Sequence, residues 1–409
     1  MPVRKTLLSC MIVSAALLGG CHSGAGDSST ATSTVHDIGV MPSQSFRQHW
    51  YRDLRLKSGE RTKALFLRGD QLFVQTTHNR FYSMDRRSGD VQYISEVASP
   101  ATDVKPPLML KDHVVYAAGR KLQFYDNQGR LDRTLTMETP FRSALAGSDS
   151  MIYAGVDHEG AGRLIAIDPT FNHNPIRWQL DTGGGVYGAP VRGGVNQSLL
   201  FAGGIDGKVY GVSADRLAVW PSLPGRTFET AGPIFADLKT SGNDLLVASG
   251  DSKLYCLDVR TGRIRWTYFA GVPLYQGPEV TAGFVYIFVP GKGICAISRA
   301  EGLMDRAAAW AVADADQFLA EDDKYAYLKS TENRIVAVEK ATGQVKFSSR
   351  RTDLATYVSN PANDPKGATL YASTKRGLIM AIVPVLRPGV VGELVLDMRP
   401  VAGSVPMAQ

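Results

Sequence analysis

Cysteine is scarce, with 4 in 409 residues, and no two are adjacent or set in a Cys-x-x-Cys pair. That excludes a disulfide scaffold and a thioredoxin-like redox motif. No Lys/Arg run exceeds a pair such as Arg350 and Arg351, so a nucleic-acid reading has no electrostatic footprint. Neither a His-Glu-x-x-His helix, nor a Gly-Lys-Ser/Thr phosphate loop, nor a nucleophile elbow occurs. The longest apolar run, residues 7–18, is too short to span a bilayer comfortably. Hydrophobic residues make up 44% and charged residues 21%, which is ordinary for a folded chain, and 41 glycines suit many turns.

What the chain does have is one strand signature, eight times over. FYSMD at 81–85, LQFYD at 122–126, LIAID at 164–168 and VYGVS at 209–213 are the first four. LYCLD at 254–258, ICAIS at 294–298, IVAVE at 335–339 and IMAIV at 379–383 complete the set. Their last positions are separated by 41, 42, 45, 45, 40, 41 and 44 residues. A strand-built period of about 40–45 residues corresponds to one four-stranded blade, so the expected fold is all-β, an eight-bladed β-propeller of antiparallel blades. The signature strands are apolar at successive positions instead of alternating, which means both faces are covered. Blades sandwiched between neighbours meet that condition; an open sheet with a wet face does not.

Each signature follows a partner strand, expected at 72–76, 114–118, 151–155, 199–203, 244–249, 284–288, 325–329 and 369–373. The fifth unit adds Gly250-Asp251-Ser252 and Thr261-Gly262 as the turns on either side of its signature strand. Short runs entered through proline, at 105–108, 188–191, 231–234 and 276–280, are expected to form the innermost strands, since proline cannot donate to a ladder and belongs on an edge. The eighth unit lacks an outer strand. Residues 46–51 (FRQHWY) can supply it and close the ring, with 393–397 (ELVLD) as the rival, so strands from both termini are expected at the closure.

Only Cys256 and Cys295 belong to the repeats. They stand two and three residues before the end of their signatures and so point to opposite strand faces, which argues against a disulfide. The column of Cys256 holds Ser83, Phe124, Ala166, Gly211, Ala296, Ala337 and Ala381 elsewhere, a place for small residues where blades pack closely.

The amino terminus is separate. Arg4 and Lys5 precede the 7–18 run and Leu18-Gly19-Gly20-Cys21, which resembles the lipobox of bacterial lipoproteins. The resemblance implies a signal peptide over 1–20, a lipid on Cys21, and, with His22 in place of an inner-membrane retention aspartate, an outer-membrane destination. Residues 22–34 are dominated by Ser, Thr, Gly and Ala and read as a tether. The expected division is signal 1–20, lipidated cysteine and tether 21–45, propeller 46–385 and carboxy-terminal extension 386–409. Without residues 1–20, 43 basic residues face 39 acidic ones, a formal net of +4.

Asp258, Thr261, Gly262 and Trp266 resemble the tryptophan-docking motif of the pyrroloquinoline-quinone-like (quinoprotein) β-propeller superfamily, in which an Asp, a Thr-Gly turn and a Trp lock blades together. Thr342, Gly343 and Phe347 repeat it with another aromatic, as does the segment 84–93. Enzymes of that superfamily hold a quinone beneath adjacent cysteines and a metal among Glu, Asn and Asp. This chain has no adjacent cysteines and no enlarged unit, so the expected protein is not an enzyme and takes neither cofactor nor metal. Its architecture resembles the lipid-anchored propellers of outer-membrane β-barrel assembly, which implies envelope proteins, including barrel-assembly components, as partners. The alternatives are a quinone-dependent dehydrogenase and an envelope sensor of carbohydrate or another small ligand. Departures from the resemblance are the long tail with Pro384, Pro388 and Pro400, and a sixth unit that ends in DRAAAW at 305–310.

Among individual candidates, Tyr187 and Tyr275 stand at matching places near the channel mouth and could anchor a peptide or a sugar. Packing between blades is the competing role. Asp157-His158-Glu159 reads as a polar turn sooner than a metal site, Glu321-Asp322-Asp323 as a wet hairpin turn, and Gly183-Gly184-Gly185 as a flexible blade connection.

Overall fold

The structure, a computed structural model, describes residues 44–214, 219–220, 228–300, 302, 304–349, 352–360, 368–386 and 395–397. The chain separates into two units, Met1–Val40 and Met41–Gln409. The expected signal segment, Cys21 and residues 21–43 of the tether lie outside the described residues, as does most of the tail.

Eight sheets form eight blades in a ring. Blade 1 shows the plan: Thr62–Arg68, Gln71–Thr76, Arg80–Asp85 and Val91–Glu96, each antiparallel to the next. The eight signatures are the third strands, from Arg80–Asp85 in blade 1 to Leu378–Leu386 in blade 8. Their partners are the second strands, from Gln71–Thr76 to Leu370–Thr374. Burial confirms the two-faced reading, since Lys253–Asp258 is covered at every position after the first. Eight apolar clusters fill the gaps, one between each adjacent pair of blades, including the cluster that joins Tyr371 and Ile379 of blade 8 to Leu72 and Val74 of blade 1. That last cluster distinguishes a closed ring from a solenoid.

Closure uses the amino terminus. Gln44–Asp53 pairs antiparallel with Leu378–Leu386 as the fourth strand of blade 8, with a bulge between Gln48 and Trp50. The rival segment is present too, in a different role: Val395–Asp397 pairs parallel with Ser45–Arg47 as a fifth strand. Blade 5 gains a similar addition, because Asp305–Arg306 of the irregular sixth unit pairs parallel with Thr267 and Tyr268. There Arg306 lies 4.8 Å over the Trp266 ring and Thr267 donates to Asp305 at 2.8 Å. The DRAAAW departure is thus a strap across the neighbouring blade.

First strands are innermost and lie beside one another from blade 2 through blade 6, and from blade 7 through blade 8 to blade 1. Three of the four expected inner runs are lead-ins, with the strands beginning at Leu108, Val191 and Glu279, at or just past their prolines. The fourth is corrected further. The inner strand of blade 5 is Lys239–Ser241, not 231–234. Pro233 serves an earlier bend, so proline position alone misplaced the strand.

The register explains the small-residue column. Ser83 lies opposite Tyr93, Ala166 opposite Trp178, Gly211 opposite Trp220, Cys256 opposite Trp266, Ala296 opposite Trp310, Ala337 opposite Phe347 and Ala381 opposite Trp50. A small residue leaves room for the ring of the fourth strand to lie across it. At the one large member, Phe124, the opposite residue is Arg133, whose guanidinium lies 4.1 Å over the phenyl ring. Cys256 and Cys295 are both free and buried, and they share the cluster between blades 5 and 6, because opposite faces of successive blades meet in one interface. Burial pushes both thiols upward, which keeps them protonated.

Candidate partner-binding face

Three lead-in segments have one local plan. Val186, Ile234 and Leu274 are fully buried, and the next residue of each, Tyr187, Phe235 or Tyr275, is 43, 41 or 56% exposed. The backbone fixes this alternation: Ile234 donates to Gly204 O and Leu274 to Ser249 O, both at 3.1 Å, on the hairpin of the preceding blade. With the first side chain turned into the core, the second faces out.

The segments also hold one another. Ala189 N donates to Asp237 Oδ1 of the next lead-in at 2.7 Å, while Ala231 N is held by Asp251 Oδ2 in the hairpin of blade 5 at 3.0 Å. A Cβ on Gly188 would sit 2.6 Å from Ala236 O, and one on Gly277 would sit 2.6 Å from Asp237 O, so glycine is required by close approach. The rings follow in sequence, Tyr187 to Phe235 at 6.0 Å and Phe235 to Tyr275 at 5.8 Å. Beside them a cavity of about 350 Å³ is lined by Phe235, Asp237, Lys239, Tyr275, Gln276 and Glu279, with Lys239 Nζ 3.2 Å from Glu279. The result is an ordered, exposed aromatic arc with a charged floor, suited to holding apolar side chains of a partner.

The structure brings Tyr187 and Tyr275 together through Phe235, which the sequence reading missed. Its signal is present: Ile234-Phe235 matches Val186-Tyr187 and Leu274-Tyr275. Aligning Pro233 with Pro190 and Pro278 hid it, because that proline sits two residues ahead of the exposed position instead of three behind it.

The contacts of the docking residues run from blade to blade. The Asp258 carboxylate accepts from Thr261 N at 2.9 Å, Thr261 Oγ1 at 3.0 Å and Arg265 at 2.8 Å. These bonds and the Arg265 charge outweigh burial and hold its carboxyl below the usual range. The ring that reaches this turn is Trp220 of the preceding blade, donating to Val259 O, not Trp266 of the same motif. Likewise Trp310 donates to Lys340 O at 2.8 Å and lies where a Cβ on Gly343 would fall 2.3 Å from it, while Trp50 donates to Arg86 O at 2.9 Å over Gly89. Phe347 packs onward into blade 8.

Other candidates are engaged elsewhere. Asp157 pairs with Arg142 through Nε at 2.7 Å, whereas His158 faces Glu159 at 3.8 Å. The 321–323 turn is not simply wet: Glu321 accepts from Tyr286 OH at 2.8 Å and lies 3.6 Å from Lys340, and Asp322 accepts from Tyr327 OH and two backbone amides. Only Asp323 is solvated as expected. Gly183–Gly185 is packed against blade 4, with Gly183 N donating to Tyr210 OH at 2.7 Å. No group of three or more His, Cys, Asp or Glu able to hold a metal occurs among the described residues. Both body cysteines are free and buried in the packed interface between blades 5 and 6.

A family model described as outer membrane protein assembly factor BamB matches residues 176–384, just over half of the chain, and the chain belongs to that family. The matched part contains the whole aromatic arc. A curated outer membrane protein assembly factor BamB from Nitrosomonas eutropha (strain DSM 101675 / C91 / Nm57) is 26% identical over 170 residues, 39% of this chain and 39% of that protein. The match therefore spans about two fifths of that relative's length. Among solved structures, BamB from Moraxella catarrhalis superposes with a TM-score of 0.60 at 13% identity, covering 82% of this chain and 98% of that one. The computationally designed Ika8 protein does nearly as well, with a TM-score of 0.58 at 13% identity over 84% and 100%. At such identity both establish the fold alone, and the designed protein illustrates that the fold does not specify a partner.

Proposed function

We propose that the chain is a non-catalytic scaffold of outer-membrane protein assembly, held on the periplasmic face of the outer membrane by lipid on Cys21 and presenting the Tyr187–Phe235–Tyr275 arc to a protein partner of the barrel-assembly machinery. In this reading residues 1–20 are removed, 21–45 tether, 46–385 form the working body and 386–409 extend it. The observation that carries the proposal is the ordered aromatic arc, exposed within the family-matched part of the ring. Two acyl chains or more on one cysteine anchor stably without a membrane-spanning helix.

Co-purification of the lipidated protein from detergent-solubilised envelopes with barrel-assembly subunits tests the scaffold role, and labelling with a palmitate analogue, lost on Cys21→Ala, tests the anchor. Clean isolation without those subunits would sink the assembly role. Absorbance of a bound quinone, together with reduction of an electron acceptor, would replace it with the dehydrogenase reading.

A further inference from the structure

Arg68 ends the innermost strand of blade 1, just before the turn at Gly69. Its Nε donates to Pro107 O at 3.0 Å and its Nη1 to Leu67 O at 3.0 Å, so the guanidinium bridges to the segment that leads into the innermost strand of blade 2. Both acceptors are neutral. Asp70, two residues on, is taken by Arg86 at 3.0 Å and Arg87 at 2.8 Å. Six other shielded cations are treated differently by the fold, whereas Arg306 donates to Ser298 O and stacks on the Trp266 ring. Arg52, Arg80, Arg86, Lys105, Arg163 and Lys329, with side chains at most 19% exposed, each meet a carboxylate within 3.0 Å.

A partly buried charge without a counter-charge is destabilising, and a neutral amide would serve two carbonyl acceptors as well. Loss of hydration lowers the Arg68 pKa from its ordinary value, with no described carboxylate acting against it. We propose that Arg68 is an oxyanion receptor at the inner rim between blades 1 and 2, using Nη2, which has no acceptor among the described residues, to take a carboxylate or phosphate group. The site is on other blades than the aromatic arc and does not depend on the scaffold reading.

The test uses the full chain with ¹⁵N-labelled arginine, the Arg68 Nε–Hε resonance being assigned by its loss in Arg68→Gln. Inorganic phosphate and acetate are titrated separately at constant ionic strength. A saturable shift of that resonance supports the site, with phosphate alone marking a phosphate receptor and acetate as well marking a carboxylate receptor. In oxyanion-free buffer Arg68→Gln melts at the same temperature as the parent or higher, and phosphate or acetate raises the melting temperature of the parent alone. Non-saturating shifts overturn the proposal. So does an Arg68→Gln protein that melts lower and gains as much from the anion as the parent, since that is the behaviour of a purely structural arginine.

Discussion

Phe124 and Arg133 invert a rule that the other seven blades obey. Elsewhere a small third-strand residue faces a fourth-strand ring; in blade 2 the large residue is on the third strand and the cation stacks on it. Phe124→Ala is expected to cost about 3–5 kcal/mol, the usual range for a buried phenyl. Adding Arg133→Trp to it should restore at least about 1 kcal/mol in urea unfolding, because the pair then follows the common pattern. Gly89 offers a sharper case. Its φ of 75° is a left-handed value, and an added Cβ would fall 2.4 Å from the Trp50 ring. Gly89→Ala should cost at least about 2 kcal/mol by the same measurement, strain and overpacking acting together at the closing seam.

Glu60 supplies the pH dependence at this scale. Burial would raise its pKa, but hydrogen bonds from Thr76, Lys57 N and Arg80, with the Arg80 charge, overcome it and leave the group below its ordinary 4.5. A depressed carboxyl stabilises the fold above the unfolded-state value and loses that contribution as pH falls through the folded value. Denaturant midpoints of the parent and Glu60→Gln should therefore differ most near neutrality and converge as pH falls through the depressed folded value, below the ordinary 4.5.

At the scale of elements, blade 8 is the only described blade whose strands come from distant parts of the sequence. Three strands lie in Leu354–Leu386 and the fourth is Gln44–Asp53. Among the described residues the fifth, Val395–Asp397, pairs with Ser45–Arg47. Ending the chain at 386 should lower the melting temperature by no more than about 5 °C, because four antiparallel strands and both blade interfaces remain. Removing 44–53 should abolish cooperative unfolding, because it takes away the fourth strand of blade 8 and, with Trp50, a ring of the cluster between blades 8 and 1. Scanning calorimetry of the two truncations distinguishes them. The added parallel strands also have a protective role: each covers an outer edge that would otherwise offer free backbone groups.

For the whole molecule, the eight interface clusters make a rigid frame, and the arc is an ornament on three adjacent blades of it. Replacing Tyr187, Phe235 and Tyr275 together by Ser should leave the melting temperature within about 3 °C, since all three are exposed, while reducing capture of barrel-assembly subunits more than tenfold. A fall in stability as large as that of a core substitution would mean that the rings serve packing between blades instead.

The number of blades, the identity of the second and third strands and the burial of both their faces were legible in the residues, because strand period and two-sided apolarity are local properties written within each unit. Spacing also exposed the column of Cys256, although its reason, the ring lying opposite, needed the register. Tertiary structure decided the rest. Which terminal segment becomes the fourth strand of blade 8 depends on long-range pairing, and both segments found places. The joining of Tyr187 to Tyr275 through Phe235, and of Cys256 to Cys295 in one interface, depends on how successive blades face each other. Which ring meets which turn, Trp220 at the turn after Asp258 for one, depends on the same facing. A repeat specifies its own unit; only closing the ring determines what each unit meets.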